Sequence, residues 1–130
     1  MTVANRKRLE AAHHMWLRRI LHVPWRDKIT NKGIRERTGQ EDMGSIIRKR
    51  RLWWLGHVWR IDKGRRANQV LHWVPEGIKR RGRPRKNWTE TVKNDLRGLE
   101  ISWERAEELA MDRVEWRMAD RVADVQKCTG

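Results

Sequence analysis

Residues Ile46–Arg60 read IIRKRRLWWLGHVWR, and the fold turns on how this stretch is read. It holds no acidic residue and no proline, and three of its side chains are tryptophan. With its flanks it predicts a helix from Asp42 to Ile61. At about 100° per residue, Met43, Ile47, Trp54, Val58 and Ile61 share one stripe, while Leu52, Leu55 and Trp59 share the opposite one. A helix apolar on two sides either lies between other elements or offers one side to a partner. Trp54 is expected in the core with Val58. Arg48, Lys49, Arg50 and Arg51 stand one turn before Trp53–Trp54. No segment of the chain alternates with a period of two, so the expected fold class is all-α, a small bundle of about five or six helices with a basic Gly/Pro-containing loop.

Upstream, Asn5–Leu21 places Leu9, Ala12, His13, Trp16, Leu17 and Ile20 at helical spacing, and Pro24 ends that helix. Thr30 can cap a short helix running to Arg37, with Gly39 suited to the left-handed closing position. Gly33 weakens this helix by about 1 kcal/mol relative to alanine. Downstream, DKGRR (62–66) reads as a turn, Ala67–Trp73 as a short helix or strand, and Val74–Lys86 as a loop. Asn87 followed by Glu90 opens a helix with Trp88, Val92, Leu96 and Leu99 on one side, stopping near Gly98. Ser102 then caps a long helix from Trp103 to about Val125, whose early Glu104, Glu107 and Glu108 suit the positive end of the helix dipole. The expected organisation is a helical region over 1–73, a basic loop over 74–86 and a helical hairpin over 87–130, together one structural domain.

The 130 residues carry 31 Lys and Arg against 17 Asp and Glu, a formal charge of +14. Residues 1–86 hold 24 bases and 7 acids, whereas 87–130 hold 7 bases and 10 acids. A basic working surface beside a near-neutral structural part points to a polyanionic partner, nucleic acid ahead of acidic membrane. Nine tryptophans and abundant Leu, Ile and Val argue for a folded chain despite its 37% charged residues. One cysteine, Cys128 near the end, excludes an internal disulfide and a cysteine-based zinc knuckle. No apolar run spans a bilayer and none forms a secretory h-region, so no membrane partner is expected and the compartment is intracellular. The clusters Arg48–Arg51 and Lys79–Lys86 tip that expectation from cytoplasm toward nucleus. His13, His14, His22, His57 and His72 lack metal-ligand spacing, and Asp27, Asp62, Asp95, Asp112 and Asp120 are scattered. No metal, cofactor or catalytic set is therefore expected in this chain.

Two stretches carry candidate chemistry. In KRRGRPRKNW (Lys79–Trp88), Gly82 lets a backbone approach closely and Pro84 holds the chain extended, so that Arg81 and Arg83 could enter a narrow A·T minor groove as in an AT-hook. The same run also reads as a general phosphate contact or as a solvated linker. In Ile46–Arg60 the bases can pair with phosphates while Trp53 and Trp59 offer ring faces for base stacking; the alternative is that these indoles are core and the arginines a wet face. His57 beside Gly56 reads as a packing or phosphate-contacting residue.

The order LEAAHHMWLRRILHVPWRDKITN, RTG, IIRKRRLWWLGHVWRID, KRRGRPRKNWTETVKNDL and SWERAEELAMDRVEWR resembles the region after the catalytic palm in LINE-type (non-LTR) retrotransposon reverse transcriptases. The likeness covers roughly residues 8–117 and is most specific in RRLWWLGHVWR, RGRPRKNW and DRVEWR. It implies a thumb-and-downstream piece of an RNA-directed DNA polymerase that holds template–primer by its backbone. The two magnesium ions and their carboxylates would belong to a palm that this chain lacks, and no Asp-Asp pair occurs here. By position, Arg48, Lys49, Arg50, Arg51 and His57 would lie at the nucleic-acid face, and Arg80, Arg81, Arg83, Arg85 and Lys86 would contact template RNA or target DNA. Lys32–Gly33 departs from the acidic pair usual at that place, as a decayed or truncated element copy would, and the start at Met1 fits a reading frame cut from a longer one. The expected function is thus a non-catalytic nucleic-acid-binding fragment whose partners are RNA, DNA or their hybrid and the missing polymerase domains. Two rivals are a stand-alone AT-hook chromatin protein and a protein-interaction module acting through its tryptophans.

Overall fold

The computed structural model describes residues 2–74, 76–77, 81–83 and 87–128, with 120 and 122–128 as backbone only. Among these residues it contains seven α-helices and no strand, so the fold class is all-α as expected. The helices are α1 Val3–Ile20, α2 Asn31–Thr38, α3 Met43–Arg60, α4 Arg66–His72, α5 Trp88–Arg97, α6 Trp103–Met111 and α7 Arg113–Cys128. The chain forms two compact units whose division falls inside α3, between Ile47 and Arg48.

In the first unit α1 packs on α2. Thr30 Oγ1 accepts from Gly33 N at 3.1 Å to start α2, and Gly39 at φ 64° closes it, both as the sequence predicts. Ile34 is fully buried, and Leu17 and His14 of α1 are buried as well. The apolar stripe expected on α1 is covered only in part: Leu17 is buried, Ala12 and His13 are half-buried, and Leu9, Trp16 and Ile20 are exposed. His14 takes an inward place because its polar atoms are satisfied there. Glu10 O can only accept, so His14 Nδ1 carries the hydrogen at 2.7 Å, leaving Nε2 to accept from Arg35 Nη1 at 3.1 Å. Arg18 ties the intervening loop down, donating to Ile29 O at 2.6 Å and Asn31 Oδ1 at 3.0 Å.

Asp42 starts α3, its Oδ1 accepting from Ser45 N at 3.2 Å and its Oδ2 from the Ser45 hydroxyl at 2.6 Å. Burial would raise its pKa, but those bonds, the Gly44 N–H and the Arg35 charge together hold the carboxyl below its usual value. A lowered folded-state pKa stabilises the fold above the unfolded carboxylate pKa, and that share is lost as pH falls through the folded value. Asp42→Ala is expected to cost about 1 kcal/mol. Asp42→Asn keeps the cap yet flattens the acid limb of a stability–pH curve measured by urea unfolding.

The second unit is built around Leu52, Leu55 and Trp59 from α3, Val92 and Leu96 from α5, Ala106 and Ala110 from α6, and Trp116 from α7. Of the two apolar stripes on α3, the Leu52–Leu55–Trp59 stripe therefore faces inward. Trp116 lies directly over Gly56, where an added Cβ would sit 2.5 Å from its Nε1. That Nε1 donates to Leu52 O at 3.0 Å. Trp59 packs edge-on against Trp103 at 4.9 Å and Trp116 at 6.0 Å, arrangements that suit the ring quadrupoles. Lys93 Nζ lies 5.3 Å from the Trp103 ring. Buried Asn68 of α4 donates to Val58 O at 3.1 Å, and the stretch expected as helix or strand is helix over Arg66–His72 with Trp73 extended after it.

One expectation fails here, and a second is met only in part. The long helix from Trp103 is split at Asp112, whose extended backbone (φ −97°, ψ 119°) stops α6. Its Oδ1 then accepts from Val114 N at 2.6 Å and Glu115 N at 3.3 Å, opening α7. Asp112 followed by Glu115 is the sequence signal for this second cap. Of the side predicted to be apolar on α5, Val92 and Leu96 are buried, but Trp88 is 38% exposed at the first position of the helix. The caps at Asn87 and Ser102 are where the sequence places them, accepting from Glu90 N at 2.7 Å and Arg105 N at 3.2 Å.

Candidate nucleic-acid interface

With Leu52, Leu55 and Trp59 turned inward, helical periodicity puts Arg50, Trp53, Trp54 and His57 on the opposite side of α3. All four are exposed, Trp53 at 54% and Trp54 at 46%. The Trp53 and His57 rings are parallel within 7° at 6.1 Å between centroids, and Trp54 leans on His57 at 5.2 Å and 36°. The 18 residues of α3 contain no Asp or Glu. The outward face thus combines aromatic rings with positive charge and carries no acid of its own.

This corrects the expected distribution of roles along the stretch. Trp54, expected in the core, is outside. Trp59, expected to offer a stacking face, is 5% exposed and enclosed by Trp103 and Trp116, so it presents no ring to a base. The four consecutive cations do not share a surface, because successive residues on a helix point about 100° apart. Arg50 is exposed and Lys49 is partly buried, but Arg48 is 8% exposed on the inward side. Arg51 grips Asp95 of α5 through two bonds, Nε to Oδ2 at 2.7 Å and Nη2 to Oδ1 at 2.9 Å. Its guanidinium is committed to the fold. Asp95→Ala is expected to lower stability by about 1–3 kcal/mol by stripping that partly buried cation of its acceptors. A lower urea midpoint with unchanged nucleic-acid affinity would mark the pair as structural.

Arg81 and Arg83 are exposed, while Arg80, Arg85 and Lys86 lie outside the described residues. Arg60 is a structural cation that sequence reasoning did not single out. Its Nη1 donates to Ala110 O at 2.6 Å in the last turn of α6, where positive charge complements the helix dipole. Burial, reinforced by the charges of Arg113 and Arg117, lowers its pKa, though a guanidinium stays charged. In the first unit an open groove along α1 is lined by His14, Arg18, Arg19 and His22 among others, but Arg18 is already spent on Ile29 and Asn31. Among the described residues no three His, Cys, Asp or Glu side chains gather as a metal would need, and no helix is long and apolar enough to cross a membrane. No family model, curated protein or solved structure matches the chain.

Proposed function

We propose that this protein is a non-catalytic nucleic-acid-binding piece of a LINE-type reverse transcriptase, holding RNA, DNA or their hybrid through the phosphate backbone. The observation that carries the reading is the acid-free α3, whose outward face carries exposed Arg50 on the same side as His57 two turns on. Exposed Arg81 and Arg83 and the +14 charge of the chain support it. Long-range attraction of this sign raises encounter rates with a polyanion, and each phosphate neutralised releases counterions. Bond-making and its magnesium ions belong, in this reading, to polymerase parts outside this chain. Primer extension by the isolated protein is therefore expected to be blank, and measurable nucleotide incorporation would refute the assignment.

The binding test is a salt titration on a mixed-sequence duplex and on an RNA–DNA hybrid. The wild-type protein should show a steep linear loss of log affinity with log salt. The combined Arg50→Ala, Arg81→Ala and Arg83→Ala variant should flatten that slope by about 2–3 units if each arginine meets one phosphate. An unchanged slope removes these residues from the interface, and binding indifferent to salt removes the reading itself. A strong preference for A·T-rich duplex, abolished by Arg83→Ala alone, would identify a minor-groove hook instead.

A further inference from the structure

We infer that Trp53, Trp54 and His57 form a base-stacking platform, and that the strand it takes is unpaired rather than duplex. This inference rests on the nucleic-acid reading above and adds to it the part of the ligand that the aromatic rings recognise.

Trp16, Trp25, Trp73 and Trp88 are exposed as well, so what sets Trp53 and Trp54 apart is that they are adjacent and share ring contacts with His57. The pair is also ordered by its neighbour. His57 stands one turn after Trp53, its ring parallel to that indole within 7°, and Trp54 leans on the same imidazole at 5.2 Å and 36°. Three flat rings within about one helical turn thus contact one another before any ligand arrives, which lowers the ordering cost of binding. Arg50 lies on the same side of the helix one turn earlier, where it can meet a phosphate beside a stacked base.

The occupant follows from the chemistry. A base in a duplex already has both faces covered by its neighbours and gains nothing from an indole at the groove. An unpaired base has free faces, and stacking is tolerant of which base it is. Protein interfaces also favour Trp and Arg, so the choice rests on charge: the helix is free of acids and the chain carries +14, which complements a polyanionic strand. Unpaired DNA and unpaired RNA offer the same ring faces and the same phosphates, so they form one ligand class with two sources.

The test uses the full chain with four ligands of equal length: oligothymidine, oligouridine, an abasic deoxyribose-phosphate strand and a blunt duplex. Both base-bearing single strands should bind about tenfold or more tightly than the abasic strand, and more tightly than duplex. Trp53→Ala with Trp54→Ala should erase that margin while leaving affinity for the abasic strand in place. Because both indoles are exposed, helical circular dichroism of the variant should match wild type. The wild-type comparison also stands without any variant. Equal affinity for abasic and base-bearing strands overturns the platform, as does a variant that keeps the margin; in either case salt-dependent binding would leave the phosphate-contacting reading intact. If none of the four ligands binds, the platform and that reading fall together. Whichever of oligothymidine and oligouridine binds more tightly identifies the source.

Discussion

Trp116→Ala is expected to destabilise the second unit by about 3–5 kcal/mol, the range for removing a large buried aromatic side chain. The indole is 6% exposed, packs edge-on against Trp59 and donates its N–H to Leu52 O, a carbonyl 64 residues away. Its removal deletes burial, an aromatic contact and the link between α7 and α3 at once. Nothing small can refill the slot, because the opposing wall is the bare backbone of Gly56. The measurement is urea unfolding followed by far-ultraviolet circular dichroism. A loss below about 1 kcal/mol, the size of an ordinary surface change, would mean that α7 does not dock where the structure puts it.

The second large effect comes from the other side of the same contact. Gly56→Ala would place a methyl group 2.5 Å from Trp116 Nε1 and 2.8 Å from its Cδ1, closer than real atoms approach. The expected cost is about 1–3 kcal/mol from overpacking. It appears even though alanine is intrinsically better in a helix by about 1 kcal/mol. That opposition yields a sharper result. In the Trp116→Ala background the clash partner is gone, so Gly56→Ala should become neutral or stabilising. A double-mutant cycle would then show coupling of the two positions well beyond experimental error. Additive costs would rule out the close approach.

These expectations also show what the sequence could and could not convey. The caps at Thr30, Asn87 and Ser102 and the closing Gly39 were readable because each is a local bargain between a side chain and backbone a few residues away. The orientation of α3 was not. Its two apolar stripes are similar in strength; Trp116, far along the chain, covers the Leu52–Leu55–Trp59 stripe, and of the other stripe Val58 is buried while Trp54 is outside. Gly56 was the available clue, since a glycine midway through a helix costs stability unless something must come close. Once that orientation is known, the rest of the stretch follows from helical geometry. Trp59 turns in, Trp54 turns out, and Arg51 swings to Asp95 rather than to solvent. A run of four cations looked like one surface only because sequence order hides direction. The break at Asp112 was legible in principle, but the glutamates before it favoured reading one continuous helix.

Two of the three segments that carry the resemblance, RRLWWLGHVWR and DRVEWR, meet at the Gly56–Trp116 contact. What is distinctive in those segments is largely packing. The residues left over for a ligand are the outward ones, Arg50, Trp53, Trp54 and His57, and they are the positions to vary when affinity is the question.

The crossed indoles of Trp59 and Trp103 have an optical corollary. At 4.9 Å and 71° their excited states couple, giving a paired positive and negative ellipticity band that an isolated indole lacks. Trp16 and Trp25, the tryptophans of the first unit, are 58% and 79% exposed and contribute little of this signal. The protein therefore carries its own label for the second unit, one that dims when α3 separates from α6 or, through the Trp59–Trp116 pair, from α7, and to which the first unit adds little.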